Sequence, residues 1–160
     1  MKYSLERINE VAATMKIECD FPPNIADIDK VIPGVYRNAI VRHIFFTYGD
    51  TIYNPSGAVI PVWLLAHEAV HSLQQIELPV AEWWKLYLKD TKFRFEQELE
   101  AHQVEYAVYL RQGFSRAFRR RYLVQISERL AGPLYGRITN KKIVKAMIVE
   151  GEADVLDNAV

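Results

Sequence analysis

The stretch PVWLLAHEAVHSLQQ, from Pro61 to Gln75, constrains this chain more than any other. On a helix that turns about 100° per residue, its apolar side chains form one continuous stripe, made by Val62, Leu65, Ala66, Ala69, Val70 and Leu73. His67 and His71 lie about 40° apart on a side roughly opposite that stripe, and Glu68 lies about 60° beyond His71. The segment therefore predicts an amphipathic helix that presents His-Glu-x-x-His away from its apolar face.

Histidines one helical turn apart can both direct a ring nitrogen at one Zn²⁺, about 2.0–2.1 Å away. Glu68 is then held near the metal without binding it, where it can accept a proton from a water molecule that attacks a carbonyl. Catalytic zinc usually takes three protein ligands and leaves one position open. The pattern therefore predicts Zn²⁺ ligands at His67 and His71, a general base at Glu68, and a third ligand elsewhere.

The third ligand has candidates in His43, His102 and the carboxylates of the stretch FEQELEAHQVEY. This stretch lies on a predicted helix from about Thr91 to Arg111, which is apolar on much of its circumference, so several of its carboxylates must share buried surroundings. Helical geometry alone does not choose between Glu98 and Glu100.

The remaining pattern predicts one α+β domain over residues 1–160, with a small strand region near residues 35–54 and a mostly helical remainder. YGDT is a candidate turn between strands, and the Pro-rich stretch CDFPPNIADIDKVIPG is expected to be a loop with one short helical turn. Further helices are expected at Ser4–Lys16, within AEWWKLYLKD, from the cap Ser115 to Leu130, and from the cap Thr139 to about Ile148.

The charge balance argues against some partners. With 20 basic and 20 acidic residues the net charge is zero, so no overall field favours nucleic acid or an anionic membrane. No apolar run approaches the roughly 20 residues that span a bilayer. The single cysteine cannot form an internal disulfide, and a cytoplasmic location is expected. The sequence does not indicate an oligomeric state.

His-Glu-x-x-His followed by a glutamate on a later helix resembles the gluzincin group of zinc metallopeptidases. Several of those families carry Glu-x-x-Ala-Asp, in which the first glutamate binds zinc, and the matching segment here begins at Glu98 and ends at His102. The stretches HEAVHSLQQ, WWKLYLKD and FEQELEAHQVEY resemble short phage-encoded zincin-type metallopeptidases over roughly residues 50–138. The resemblance selects Glu98 as the third zinc ligand. His102 stands where the related families often have an aspartate that orients a zinc histidine, so it could take that role or bind the metal itself.

The resemblance implies a compact zincin-like domain that hydrolyses peptide bonds in a peptide or protein substrate. It suggests Tyr135, in AGPLYGR, as a donor to the developing oxyanion, and the strand around Thr51–Asn54 as the edge along which an extended peptide binds. A phage-encoded protein of this kind would be found in the host cytoplasm or in the virion.

Two alternatives stay open. The protein could be a protease with one dedicated target, or a non-catalytic zinc-binding or virion-associated structural protein that keeps a vestigial zincin site. A fourth protein ligand such as His102 would favour the structural role, whereas an open coordination position would favour the enzyme.

Overall fold

The computed structural model describes residues 2–157, with side-chain surroundings described through residue 152. The elements in chain order are α1 (Leu5–Thr14), β1 (Lys16–Glu18), α2 (Ile25–Val31), α3 (Val35–Val41), β2 (Phe46–Tyr48), β3 (Thr51–Tyr53), α4 (Val62–Glu77), α5 (Val80–Lys89), α6 (Thr91–Leu110), α7 (Arg116–Leu130), a 3₁₀ helix (Pro133–Tyr135) and α8 (Lys141–Asp157). The fold is α+β and mostly helical, with one small sheet. Residue 1 and residues 158–160, which the single-domain prediction included, lie outside the described residues.

The sheet has three strands in the order β1–β3–β2. β1 runs parallel to β3, and β2 runs antiparallel to it with Thr47 opposite Ile52. The predicted YGDT turn joins β2 to β3, where Gly49 adopts a φ of +65° that a side chain would disfavour. The strand β1 was not expected, because Lys16 was assigned to the end of the first helix and Ile17 and Glu18 were assigned to no element.

The first part of the predicted strand region is a helix, so that prediction was wrong for α3. Its β-branched and aromatic composition favours a strand, but Val35 and Ala39, four residues apart, are both buried in a cluster with Trp83 and Trp84. The Asp29 carboxylate accepts hydrogen bonds from the backbone N–H groups of Gly34 and Val35, which fixes the start of the helix. Tertiary burial of a helical pair therefore outweighs local strand propensity here.

Helix ends follow the capping residues in most cases. The side chains of Ser4 and Ser115 accept hydrogen bonds from the first turns of α1 and α7, and Asp90 does the same for α6. The last helix differs from the prediction, because Asn140 rather than Thr139 accepts from the Ile143 N–H, and α8 continues to Asp157. The Pro-rich stretch holds α2, a helix of seven residues, where a single turn was expected.

Helices α4 and α6 form the centre of the molecule, with α1 against α4 and with α7 and α8 against α6. Because α4 has neighbours on several sides, its residues 66–75 are all buried, including the face that carries the two histidines. This placement puts the polar side of α4 against α6 inside the protein. Within the described part of the chain, no helix combines the length and apolar character needed to cross a membrane.

Candidate metal centre

Three predicted ligands converge between α4 and α6. The Nε2 atoms of His67 and His71 lie 3.1 Å apart, while the Glu98 carboxylate lies 3.5 Å from His71 Nε2 and 3.7 Å from His67 Nε2. Ligands about 2.0–2.2 Å from one tetrahedral ion lie about 3.3–3.6 Å from each other. The three side chains are buried, and their spacing is that of a group that could hold a metal ion.

The structure separates Glu98 from the other carboxylates of its helix. Glu100 accepts a hydrogen bond from the Gln74 amide at 2.9 Å, and Glu96 lies beside Lys92 at the surface. His43 is exposed, has a positive φ of 53°, and is not part of the group. Of the candidates left open by helical geometry, Glu98 is the carboxylate that faces both histidines.

Each ligand is held by a further polar side chain. His67 Nδ1 lies 2.7 Å from the Glu105 carboxylate, and His71 Nδ1 lies 2.9 Å from the Gln74 side-chain oxygen. The Tyr87 hydroxyl donates to Glu98 at 2.5 Å. Both Nδ1 atoms therefore face an acceptor oxygen and both Nε2 atoms face the centre, which is the arrangement that orients metal-ligating histidines.

The sequence analysis included Glu105 only among the carboxylates considered as third ligand, and it gave Gln74 and Tyr87 no role. A signal for Glu105 was nevertheless present, because positions 98, 102 and 105 recur at i, i+4 and i+7 and so share one face of α6. Gln74 lies three residues after His71 on α4, the same spacing as that between His102 and Glu105 on α6. The contact from Tyr87 crosses between helices α5 and α6 and has no counterpart in sequence spacing.

The histidines of the cluster favour the ionised forms of its two buried carboxylates, Glu98 and Glu105. Burial raises the pKa of Glu98, but the hydrogen bond and charge of His71 and the charges of His67 and His102 outweigh it, so the pKa lies well below its usual value. Burial likewise raises the pKa of Glu105, and the two histidines that it contacts again lower the net value. Both carboxylates are therefore ionised at neutral pH, despite being buried.

His67 shows the reciprocal effect. Burial lowers its pKa, but the hydrogen bond and charge of Glu105, together with the charges of Glu68 and Glu98, raise it to about 9. In the metal-free protein this imidazole therefore holds a proton that a metal ion has to displace.

The predicted general base lies on the same helix and on the wall of the same cavity. Glu68 is buried, and its carboxylate accepts a 2.7 Å hydrogen bond from the Thr47 hydroxyl on β2. Glu68 does not belong to the group of metal-ligating atoms. The small sheet therefore fixes the orientation of the Glu68 carboxylate, which lines the same cavity as the three converging ligands but is not one of them.

Tyr135, the predicted oxyanion donor, lies in the 3₁₀ helix and is buried. Burial raises its pKa well above the usual value, and the charge of Glu98 adds to the effect. The Arg94 guanidinium donates to the carbonyls of Leu134 and Tyr87, which ties the 3₁₀ helix to the end of α5. Tyr135 therefore keeps its proton and lines the same cavity as the cluster.

The cluster lies at one wall of a cavity of about 620 Å³. Apolar side chains also line the cavity, among them Ile28 and Val35 of the α2–α3 region and Trp83 and Trp84 of α5. Both tryptophans also pack in the core with Val35 and Ala39. The volume is in the range of small-molecule and peptide side-chain sites.

The prediction that the strand around Thr51–Asn54 forms the peptide-binding edge is wrong. β3 lies in the middle of the sheet and is paired on both sides, so it has no free edge. The strand nearest the centre is β2, but its Thr47 carbonyl already accepts hydrogen bonds from the side chains of Gln75 and Trp84. Side chains of α4 and α5 therefore occupy this backbone acceptor, which leaves the Thr47 carbonyl unavailable to an added strand.

His102 is the remaining histidine of the cluster. It is buried, its Nδ1 lies 2.6 Å from the Glu105 carboxylate, and its Nε2 lies 3.7 Å from the Glu98 carboxylate. It is not part of the set formed by His67, His71 and Glu98, but it belongs with His67 and Glu105 to a second buried set in which the ligand atoms also lie within 4.8 Å of one another.

Comparison with known proteins adds no relative: no family model, no curated protein and no solved structure matches this chain. The functional argument therefore rests on the chemistry of the cluster.

Proposed function

We propose that this protein is a zincin-like metallopeptidase that hydrolyses peptide bonds with a zinc ion bound by His67, His71 and Glu98. The observation that carries the proposal is the convergence of two Nε2 atoms and one carboxylate at the wall of a cavity, with Glu68 adjacent. Two imidazoles and one carboxylate form the donor set of several catalytic zinc sites.

The donor set favours zinc on chemical grounds. Imidazole nitrogens suit zinc better than magnesium or calcium, which prefer oxygen ligands, and the spacing of the three groups fits a tetrahedral ion. Zinc bound there supplies a Lewis acid that lowers the pKa of a water molecule and polarises a carbonyl. The ionised state of Glu98 and the Nδ1 partners of both histidines prepare these side chains for that role.

Glu68 performs the proton transfer in this proposal. Its carboxylate takes a proton from the water that attacks the peptide carbonyl and returns it to the departing amine nitrogen as the C–N bond breaks. The Thr47 hydroxyl occupies Glu68 Oε2, which leaves Oε1 to reach the reacting water. The buried phenol of Tyr135, kept protonated, is the group that donates to the developing oxyanion.

The test compares Glu68→Gln with the wild type, using Glu77→Gln near the end of the same helix as a control. After zinc loading, we expect wild type and both variants to hold one ion per chain. Hydrolysis of a pool of quenched-fluorescent peptides should fall by about 10²–10⁴-fold in Glu68→Gln only. A Glu68→Gln protein that holds zinc and retains full activity refutes the mechanism.

The non-catalytic alternative makes a different prediction for the same preparation. It requires a fourth protein ligand, and His102 is the nearest histidine to the three that converge. Zinc-loaded wild type that cleaves no peptide of the pool, and in which His102 binds the metal, would favour that alternative.

A further inference from the structure

One face of α7 forms part of the wall of the cavity. Four of its side chains line the cavity, at positions that recur at i, i+3, i+4 and i+7 and so share one face of the helix: Tyr122, Gln125, Ile126 and Arg129. The Tyr122 hydroxyl donates to Glu105 inside the cluster, whereas Arg129 is exposed. This face therefore extends from the cluster to the surface of the protein, with Arg129 at its outer end.

Arg129 carries a positive charge that no partner in the described part of the chain neutralises. Its guanidinium, which is always protonated, makes no salt bridge and donates no hydrogen bond to a described residue. The carboxylates that line the same cavity are already paired, because Glu68 accepts from the Thr47 hydroxyl while Glu98 and Glu105 contact histidines. The cavity therefore offers a free cation to a ligand, whereas its anions are engaged.

Arg129 lies near the side of the cavity that holds Tyr135. Burial raises the pKa of Tyr135 well above its usual value and the charge of Glu98 adds to this, but the charge of Arg129 partly offsets both. Because a Coulombic interaction weakens with distance and solvent screens it, the guanidinium has to lie close to the phenol. Arg42, which also lines the cavity, is not among the charges with the largest effect on Tyr135. Of these two arginines, Arg129 is therefore the one beside the proposed oxyanion donor.

We infer that Arg129 binds a carboxylate of the substrate next to the scissile bond, so that the protein selects peptides in which an apolar residue and a carboxylate flank that bond. The inference rests on the proposed function and names its substrate class. A guanidinium presents N–H donors in a planar fork that matches both oxygens of a carboxylate. Apolar side chains of the same cavity, such as Trp63 and Leu64 on α4, suit the neighbouring apolar residue of the substrate. The carboxylate comes from a free C terminus or from the side chain of an aspartate or glutamate.

The first test measures kcat/KM of the zinc-loaded wild type on two matched pairs of peptides that all contain leucine. The members of one pair differ only in a free or an amidated C terminus. The members of the other pair are blocked at both ends and differ only in a glutamate or a glutamine next to the leucine. We expect the carboxylate member of at least one pair to be cleaved at least about tenfold faster, because hydrogen bonds between charged groups are the strong ones.

The pair that shows the preference identifies the source of the carboxylate. Equal cleavage of the two members in both pairs overturns the inference and leaves the proposed function intact. Zinc-loaded wild type that cleaves none of the peptides refutes the proposed function, and the inference with it.

The second test repeats the measurement with Arg129→Gln and Arg129→Lys, and with Arg121→Gln as a control on the same helix and outside the cavity lining. Gln removes the charge and should bring the ratio of the two kcat/KM values to within about twofold of unity. Lys keeps the charge without the planar fork and should retain part of the preference. A role of Arg129 confined to the last turn of α7, where a cation interacts favourably with the helix dipole, would leave the ratio unchanged. A full preference in Arg129→Gln, or an equal loss in Arg121→Gln, overturns the inference.

A binding measurement separates recognition of the carboxylate from catalysis. Zinc-loaded Glu68→Gln is titrated with both members of each pair, and tryptophan fluorescence reports binding because Trp63, Trp83 and Trp84 line the cavity. We expect Kd to be about tenfold lower for the carboxylate member of the preferred pair, and equal for both members once Arg129→Gln is added. Equal Kd values in Glu68→Gln itself contradict the role of Arg129, whatever the outcome for hydrolysis.

Discussion

Glu105 offers a quantitative test of how the cluster is built. Its carboxylate is buried and contacts His67, His102 and Tyr122, but it is not one of the three converging ligands His67, His71 and Glu98. The substitution Glu105→Gln keeps the volume and leaves one oxygen that can accept from both histidines, but it removes the charge. The variant therefore removes the charge that supports His67, and it also replaces the oxygen that accepts from Tyr122 by an amide nitrogen, with which the Tyr122 hydroxyl oxygen can pair as acceptor.

The expected magnitude follows from the hydrogen bond to His67. A hydrogen bond to a charged acceptor contributes about 1.5–3 kcal/mol and a neutral one about 0.5–1.5 kcal/mol, so the exchange weakens this bond by about 1 kcal/mol. The imidazole also becomes a weaker base and a less fixed ligand. Loss of such an outer partner typically lowers metal affinity 10–100-fold, which corresponds to about 1.4–2.7 kcal/mol. The same substitution should lower the free energy of unfolding of the metal-free protein by about 2 kcal/mol, because two such bonds are weakened.

The assay is competition for zinc against a fluorescent chelator at fixed pH, with chemical denaturation of the metal-free protein alongside. Glu96→Gln is the matched control, since Glu96 lies at the surface of the same helix beside Lys92. Zinc affinity of Glu105→Gln within twofold of wild type would refute the argument that Glu105 supports the metal centre. An equal loss in Glu96→Gln would show that the effect is a general one of charge.

Three further predictions follow from the geometry. Glu98→Ala should lose zinc while Glu100→Ala keeps one ion per chain, as measured by metal analysis; zinc retained in Glu98→Ala would contradict the ligand assignment. The folded pKa of His67, about 9, exceeds its ordinary value of 6.5, so its proton stabilises the metal-free fold below about pH 6.5 and this contribution is lost as the pH rises toward 9. Because zinc competes with that proton, the rise in Tm on adding zinc should grow from pH 6.5 to 9, and a rise independent of pH would count against His67 as a ligand. Ile148→Ala, in the fully buried cluster between α6, α7 and α8, should cost about 2–5 kcal/mol of unfolding free energy while zinc stoichiometry is unchanged.

The sequence predicted the helices of the site well because local signals determine them. The apolar stripe located α4, the predicted cap Ser115 marks the start of α7, and the predicted start of α6 near Thr91 follows Asp90, whose side chain caps it in the structure. The same approach failed for α3, whose composition favours a strand, because its conformation depends on burying Val35 and Ala39 against tryptophans from a distant part of the chain. Periodicity identifies a face, but it does not identify the partner that buries the face.

The third ligand shows a similar limit. Glu98 and Glu100 both had apolar neighbours, and the choice between them depends on how α6 is rotated against α4. That rotation is visible in the structure through the contact of Gln74 with Glu100, which leaves Glu98 opposite the histidines. The recurrence of positions 98, 102 and 105 on one face was available in the sequence, but its meaning required knowing that this face meets His67.

The position of the small sheet explains why the strands matter to the chemistry even though β3 offers no edge to a peptide. The Thr47 hydroxyl on β2 donates a hydrogen bond to the Glu68 carboxylate, while the Thr47 carbonyl accepts from the side chains of Gln75 on α4 and Trp84 on α5. The sheet therefore holds one carboxylate oxygen of Glu68, the proposed base, and leaves the other oxygen available to the cavity. Thr47→Val keeps the shape of the side chain and removes the hydroxyl, so Glu68 should lose its orientation while zinc affinity stays unchanged. On this argument kcat for peptide hydrolysis falls by about tenfold, the tenfold corresponding to about 1.4 kcal/mol, close to the lower end of the range for one hydrogen bond to a charged group. A Thr47→Val protein with unaltered kcat would show that Glu68 is oriented without the sheet, and the role given to β2 would have to be withdrawn.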